Sequence, residues 1–399
     1  MTTNAEYSKR RADSLTKSTS TTFHQFFITG RTSICGQFLR ASPSVNGAMA
    51  DLPAPSALTS PARTVADCVA LRQDNFLLLR FLAASLVIFG HSWAVGLNPS
   101  GETDWLGQRT LLFSGTLAVN IFFFISGFLV TMSYQRRHSL WIFVKARALR
   151  IFPALMVCVT FTAVVLGPLV SELRVADYFA DPHWLRYLLG NISMLDRQEN
   201  LPGVFTHNRL PDIVNGSLWT IPIELCMYVF VAALGVAGLL RTRLRFGLAI
   251  VAMLLVVAAF RVPLQVERLA LFYGPAAFFV IGACCWMARD SVPVSGYGVL
   301  LLLFACAVFY RQPGYPLVFG ALTAYGSLWL VFVPGLQGFN RIGDYSYGLY
   351  LYGFVMQQLV AHGFPQFGPY RLFAASFPLA LLAAIVSWHG VEKPALRWK

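Results

Sequence analysis

The chain has 399 residues, of which 56% are hydrophobic and 14% aromatic, while only 12% carry a charge. A soluble globular protein carries about 25% charged residues, so this composition excludes an ordinary soluble enzyme. The formal net charge of +13 fits loop lysines and arginines at an anionic membrane leaflet better than it fits nucleic-acid binding. The sequence therefore predicts an all-α integral membrane protein that binds membrane lipids and no nucleic acid.

Residues 1–72 differ from the rest of the chain. They are rich in Ser, Thr, Ala and Pro and show no sustained apolar period, which predicts a disordered cytoplasmic tail. Met1 and Met49 are both candidates for the start of the protein. Residues 73–399 are predicted to form one transmembrane domain.

Apolar segments then recur to the end of the chain, most of them close to the ~20 residues that cross a bilayer. They predict a bundle of about ten transmembrane helices around a polar pore. The ten spans are 76–97, 111–133, 151–170, 217–240, 246–263, 268–287, 296–310, 317–336, 345–363 and 371–390.

Charge placement predicts the orientation of this bundle. The segments 134–150 and 241–245 and the tail after residue 391 are rich in Lys and Arg, and with ten spans all three lie on the side of the N-terminus. Basic loops face the cytoplasm, so both termini are predicted to be cytoplasmic. The acid-rich loop 171–216 lies on the opposite side.

The first predicted span carries two ionisable residues, Arg80 and His91, eleven positions apart. Eleven residues complete about three helical turns, so both side chains share one face and lie about 16 Å apart along the axis. An ionisable group in hydrocarbon costs at least about 2.5–3.5 kcal/mol, which predicts that this face lines a polar cavity. Snorkelling would explain Arg80 alone, and a hydrogen-bonded packing histidine would explain His91 alone.

The fourth predicted span opens with NGSLWTIPIELCMYVF and carries Glu224. Counted from the outer helix ends, Glu224 lies about 10 Å deep and His91 about 9 Å deep. The two groups are therefore predicted to meet at one depth, where a carboxylate would fix the imidazole tautomer and help it take a proton from an alcohol. The alternative is a structural salt bridge between Glu224 and an arginine.

The segment FVKARALR places Lys145, Arg147 and Arg150 just before the third span. Arg147 and Arg150 are three residues apart and share a helix face. Two guanidinium groups at a membrane boundary suit an anionic ligand, particularly phosphate. The ordinary excess of positive charge in cytoplasmic loops is the alternative explanation.

Further polar residues lie inside apolar segments. Tyr347, Tyr350 and Gln357 belong to GDYSYGLYLYGFVMQQ, and Asn120 lies within the second span. A buried amide must find hydrogen-bond partners, so these positions are candidates for the pore. The seven cysteines have no spacing with histidine that suits zinc, and no metal is predicted.

These segments resemble one family, the acyltransferase-3 family of integral membrane O-acyltransferases. The resemblance covers residues 74–395, nearly all of the predicted membrane part. It rests on DNFLLLRFLAASLVIFGHS, FFFISGFLVTMSY followed by FVKARALRIFPAL, NGSLWTIPIELCMY, YSYGLYLYGF and VEKPAL, which occur in the family's order. The second of these motifs ends in Tyr134, and the fourth contains Ser217, Trp219 and Tyr228.

The resemblance implies transfer of an acyl group from cytoplasmic acetyl-CoA to a sugar hydroxyl of an exopolysaccharide, O-antigen or lipid-linked glycan, in the bacterial inner membrane. It implies that Arg147, Arg150 and Lys145 hold the donor's phosphates. His91 would be the base or the acyl relay, and Glu224 would orient it. The implied pore and substrate residues are Arg80, Asn120, Ser217, Trp219, Tyr228, Tyr347, Tyr350 and Gln357.

One position departs from the family. Many members carry a histidine directly after the Tyr-Leu-Tyr of the ninth span, where this chain has Gly353. The departure puts a mechanism with two histidines in doubt. A transporter or flippase of a lipid-linked substrate is the main alternative function, and a membrane sensor or scaffold is a third.

Overall fold

The computed structural model describes residues 63–137, 139–259 and 267–399, and this part of the chain contains helices and no β-strand. The helices are α1 (Val65–Ala70), α2 (Phe76–Val95), α3 (Trp105–Thr110), α4 (Ser114–Arg137), α5 (Leu140–Val170), α6 (Val175–Ala180), α7 (His183–Ser193), α8 (Gly216–Val236), α9 (Arg243–Ala259), α10 (Glu267–Met287), α11 (Gly296–Val308), α12 (Tyr315–Val331), α13 (Ser346–Gly363) and α14 (Pro369–Leu396). The predicted all-helical class is confirmed for the described residues.

Five of these helices, α2, α4, α5, α8 and α14, are long and apolar enough to cross a membrane. Segments within α10, α11 and α12 are apolar but shorter, and the predicted span at 246–263 extends partly outside the described residues. The first and seventh spans end two residues earlier than predicted, at Val95 and Val308. The count of ten spans and the polar pore therefore remain predictions.

The predicted tail ends earlier than residue 72. Residues 1–62 lie outside the described part, but α1 is a helix with a capping box, because the Thr64 and Asp67 side chains bond each other's backbone N–H groups. Val65 is fully buried, and its N–H donates to the Val292 carbonyl. The sequence analysis missed α1 because six residues are too few to show an apolar period.

Two glycines bring α4 and α10 into close contact. A Cβ at Gly282 would lie 2.1 Å from the Phe124 carbonyl oxygen, and one at Gly127 would lie 1.9 Å from that of Phe279. Small residues at helix crossings let backbones approach in this way in membrane proteins. The position of α4, which lines both cavities described below, therefore depends on these two glycines.

Helix α13 lies against α2 and α14, and its contacts are also close. A Cβ at Gly348 would lie 2.8 Å from Ala384 Cα. A Cβ at Gly353 would lie 2.7 Å from Cγ1 of Ile88, so a larger residue at 353 requires Ile88 to move. The position where many family members carry a histidine is here a contact between α13 and α2.

We expect Gly282→Val to lower the melting temperature of the purified protein in detergent, because its side chain would overlap α4. Overpacking of this kind costs about 1–3 kcal/mol. Gly247→Val in α9 is the matched control, since no described atom lies within 4 Å of the Cβ position there. Equal melting temperatures for the two variants would contradict the proposed close contact.

Candidate active site

A cavity of about 500 Å³ lies among α2, α4, α5, α8 and α13. We call it the arginine cavity, after Arg80, Arg147 and Arg150. Its other polar lining residues are Ser126, Ser133, Thr220, Glu224, Tyr228, Asn340, Asp344, Ser346, Tyr347, Tyr350 and Lys399. The structure thus brings together seven residues that the sequence predicts for the site, from four different helices.

Asp344 lies at the centre of the charged groups. Its Oδ2 is 2.6 Å from Arg150 Nη2 and 3.6 Å from Arg80 Nη1, and its Oδ1 accepts a hydrogen bond of 2.5 Å from the Ser346 hydroxyl. Burial raises the pKa of Asp344, but Arg150, Arg80 and Ser346 outweigh burial and lower it to about 2. The ionised carboxylate therefore links α2, α5 and the start of α13.

Arg150 is held by two carboxylates and one ring. In addition to Asp344, Glu392 Oε2 lies 3.6 Å from Arg150 Nη1, and the Tyr347 ring centroid lies 5.5 Å from the guanidinium carbon. Tyr347 is itself fixed, because its hydroxyl donates to the Ile151 carbonyl at 3.0 Å. An anionic ligand would have to compete with both carboxylates for Arg150.

Arg147 has a different environment. The guanidinium carbon of Arg147 lies 5.7 Å from the Tyr228 ring centroid. Arg147 forms no ion pair with any described residue, and its buried Nε has no hydrogen-bond partner among them. Lys399 also lines the cavity, and burial and repulsion from Arg147 and Arg150 lower its pKa to about 8. Arg147 is therefore the arginine of this cavity best placed to bind an added anion.

Glu224 bonds residues of its own cavity. Its Oε1 accepts hydrogen bonds from the hydroxyl of Tyr228 and, at 3.3 Å, from that of Ser126. Tyr228 also contacts Arg147 through its ring. The carboxylate therefore fixes the ring beneath Arg147.

His91 lies outside the arginine cavity, among aromatic side chains. Its ring packs edge-on against Phe113 and Phe354, with centroids 5.5 and 5.3 Å away, and its Nδ1 lies 2.9 Å from the Val87 carbonyl oxygen. A carbonyl oxygen only accepts hydrogen bonds, so Nδ1 of the neutral ring carries the proton. Nε2 then presents a lone pair, and no described residue bonds it.

The predicted contact between His91 and Glu224 is not formed in the described residues. The helix ends explain why. Helix α2 ends at Val95, which places His91 about 6 Å from its end, while α8 begins with a 3₁₀ turn at Gly216–Trp219 that places Glu224 about 14 Å from its start. Counted from these helix ends, the two groups differ by about 8 Å, and the Val87 carbonyl orients His91 instead.

A packed layer separates Glu224 from His91. Tyr350 lies one turn before Phe354 on α13, and its hydroxyl donates to the Ser217 carbonyl and bonds the Thr220 hydroxyl, each at 2.6 Å. Its ring packs on Phe122 and belongs to one apolar cluster with Val87, which lies one turn from His91 on α2. Tyr350 lines the arginine cavity, whereas Val87 and His91 do not.

The other predicted site residues lie away from this cavity. Lys145 is exposed, because two residues from Arg147 on a helix correspond to a turn of about 200°. The Gln357 amide donates to the Ile88 carbonyl at 2.7 Å and the Ser92 hydroxyl at 2.8 Å, so it joins α13 to α2. Asn120 and Ser217 are buried with unbonded side-chain oxygens, and Trp219 packs on the core.

Several polar residues of this region were not predicted from the sequence, among them Asp344, Glu392 and Ser126. Asp344 was within a quoted motif, but its partners Arg80 and Arg150 are 264 and 194 positions away. Glu392 was recognised only as part of VEKPAL, and Ser126 looked like an ordinary small residue of an apolar helix. An acid at a predicted helix boundary, opposite two buried arginines, was the available signal. No group of three metal-ligating side chains occurs among the residues described.

The sequence profile of the acyltransferase-3 family, described as an acyltransferase domain, matches residues 74–389. The chain belongs to this family. It is 30% identical over 340 residues to an "O-acetyl transferase" of Shigella phage Sf6, a match that covers 81% of this chain and 96% of that protein. It is 28% identical over 358 residues to "Nodulation protein 10" of Rhizobium leguminosarum bv. viciae, covering 82% and 94%. No solved structure matches this chain.

The predicted enzyme class is thereby confirmed, and this member of the acyltransferase-3 family is an acyltransferase. Its apolar helices make it a membrane protein. The transporter and scaffold alternatives do not account for a match that runs from the first Arg-to-His segment into the last helix. Within the acyltransferase, residues from most of the family motifs quoted above line the arginine cavity.

We expect Asp344→Asn to destabilise the acyltransferase, because it leaves Arg150 and Arg80 without their shared carboxylate. Removal of one partner of a buried ion pair costs about 3–5 kcal/mol. Melting temperature in detergent measures the loss. Asp181→Asn is the matched control, since Asp181 pairs with His183 in an exposed position and such pairs contribute little.

The destabilisation caused by Asp344→Asn should depend on pH. Because the pKa of Asp344 is about 2 in the folded protein against 3.8 for a free side chain, the pH-dependent part of its contribution, about 2 kcal/mol, is nearly complete above about pH 4 and is lost as the pH falls toward 2. The difference in melting temperature between wild type and Asp344→Asn should shrink over that interval. A constant difference would contradict the ion-pair assignment.

Proposed function

We propose that the protein moves an acetyl group from acetyl-CoA to a sugar hydroxyl of an exopolysaccharide, O-antigen or lipid-linked glycan. The observation that carries this proposal is the bond between His91 Nδ1 and the Val87 carbonyl. It leaves Nε2 as an unprotonated acceptor inside a helical protein of the acyltransferase-3 family. A buried imidazole with a free Nε2 is suited to take a proton from an alcohol.

Acetyl-CoA is the proposed donor because of the charges in the arginine cavity. Its phosphates need cations, and Arg147 has no carboxylate partner among the described residues, whereas Arg150 and Arg80 share Asp344. Forked guanidinium groups bind phosphate through paired hydrogen bonds. The proposal therefore assigns phosphate binding first to Arg147 and gives Arg150 a mainly structural part, with Lys145 outside the site.

The proposed reaction takes place at His91. Nε2 removes the proton of the acceptor hydroxyl, the hydroxyl oxygen forms the ester bond to the acyl carbon, and the carbon–sulfur bond breaks. The proton then passes from Nε2 to the sulfur that leaves. Tyr350 lines the arginine cavity and packs in one apolar cluster with Val87, so the proposal requires these side chains to move apart for the acyl end of the donor to reach His91.

The acceptor and the location belong to the same proposal. A name such as "O-acetyl transferase", borne by the phage relative, specifies transfer to oxygen. The family resemblance supports a glycan as the carrier of that oxygen. The basic end of α5 would face the cytoplasm of a bacterium, with the protein in the inner membrane and both termini inside. A transporter role has no separate observation in its favour.

We expect His91→Ala to lower acetyl transfer by about 10²–10⁴-fold, the usual contribution of a general base, without loss of membrane insertion. Mass spectrometry of surface glycans from cells with and without the protein measures O-acetyl groups and identifies the acceptor. His183→Ala is the control, since that ring pairs with Asp181 in an exposed position. Unchanged O-acetylation in His91→Ala cells would refute the proposed base.

Arg147→Ala should raise the apparent KM for acetyl-CoA by about ten-fold or more, because a hydrogen bond to a charged group contributes about 1.5–3 kcal/mol. The turnover number should change less, since His91 is remote from Arg147. Lys145→Ala, two residues away on the exposed face, is the matched control and should leave KM unchanged. A KM that responds to Lys145 and not to Arg147 would reverse the assignment.

A further inference from the structure

A second cavity, of about 720 Å³, lies beside the arginine cavity, where α1, α2, α4 and α10 meet. We call it the Trp286 cavity. Three arginines from separate parts of the chain line it: Arg72 after α1, Arg136 near the end of α4 and Arg289 after α10. None of them was singled out by the sequence, because 217 positions separate the first from the last.

The buried Trp286 ring holds two of these arginines. The guanidinium carbons of Arg289 and Arg136 lie 4.5 and 5.5 Å from the ring centroid, within cation–π range. The ring is fixed by a hydrogen bond of 2.6 Å from its N–H to Gln135 Oε1, and Arg289 Nη1 donates to the Trp286 carbonyl at 3.2 Å. Two guanidinium groups are therefore positioned before any ligand binds.

The positive charge here is not balanced by the lining. Arg72, Arg136 and Arg289 form no ion pair with any residue in the described ranges, and Asp74 is the one acid among the described lining residues. Burial and the neighbouring charges of Arg243 and Arg136 lower the pKa of Arg289. Three arginines around one acid, none of them in an ion pair with a described residue, are the arrangement expected of a site that receives an anion.

Apart from Gln73 and Asp74, the rest of the lining is largely apolar. Phe76, Phe128, Phe332, Leu129 and Met132 form the apolar wall of the cavity. A free inorganic ion would leave this wall uncovered, whereas a phosphate ester with an apolar or aromatic portion would contact both sides. Leu129 and Met132 also line the arginine cavity, so the two cavities are neighbours across α4.

We propose that the Trp286 cavity binds the phosphate group of an amphiphilic phosphate ester, with Arg136 and Arg289 as its ligands and the phenylalanine wall against its apolar part. Two molecules available to this protein have that chemistry: the nucleotide half of an acyl-CoA and the headgroup of an anionic phospholipid. Anion binding is measured without turnover, so the inference is independent of the roles proposed for His91 and Arg147.

The test measures binding to the full-length protein in neutral detergent by calorimetry, with adenosine 3′,5′-bisphosphate and short-chain phosphatidylglycerol as separate probes. Every variant carries Arg147→Ala, so that the arginine cavity contributes little. We expect the pair Arg136→Gln and Arg289→Gln to weaken at least one probe ten-fold or more. The pair Arg136→Lys and Arg289→Lys, which keeps the charge, should lose less. The control pair Arg241→Gln and Arg245→Gln removes two exposed charges.

The probe that loses affinity identifies the source of the phosphate. A loss for the nucleotide alone supports the donor, and a loss for the lipid alone supports a headgroup. The proposal is overturned if the Arg136→Gln and Arg289→Gln pair binds both probes as tightly as the protein that carries Arg147→Ala alone. It is also overturned if the control pair loses as much affinity as that pair. If the Gln pair does not fold, phenylglyoxal labelling of the unmodified protein decides: the probes must protect Arg136 and Arg289, and equal labelling with and without them refutes the site.

Discussion

The ion pairs of Asp344 are the interaction on which the candidate site depends. A single carboxylate between two arginines ties together helices that are far apart in sequence, and it leaves Arg147 as the arginine of the cavity that has no ion pair with a described residue. Buried ion pairs add little net stability, but the loss of one partner is costly, so they favour one arrangement over others. The helices of the site are held in register by charge as much as by apolar packing.

The sequence predicted the class of this protein well. The composition and the length of the apolar segments reflect the bilayer around the chain, and they do not depend on tertiary contacts. It also selected Arg80, Arg147, Arg150 and Glu224 as site residues, since buried charge needs an explanation wherever it occurs, while Tyr228 came from the family resemblance. It did not predict which charges pair. The pairing depends on how far each helix is rotated about its axis relative to its neighbours. The sequence of one helix alone does not specify this rotation.

The failures follow from the same limit. Lys145 was grouped with Arg147 by proximity along the chain, although two residues on a helix point to different sides. His91 and Glu224 were matched by depth, although a 3₁₀ turn and an earlier helix end shift one against the other. Trp286 and the arginines around it were not predicted as a cluster, because they come from distant segments of the chain. Contacts between helices, rather than the helices themselves, were the unpredictable part.

The bond from His91 to the Val87 carbonyl has a consequence for how protons move. With Nδ1 bonded to the main chain, Nε2 is the ring nitrogen left to exchange a proton. In the proposed reaction, uptake and return therefore use the same nitrogen, at different moments of the cycle. The ring would then act as a temporary store of a single hydrogen ion, and the overall reaction would neither acidify nor alkalinise either side of the membrane.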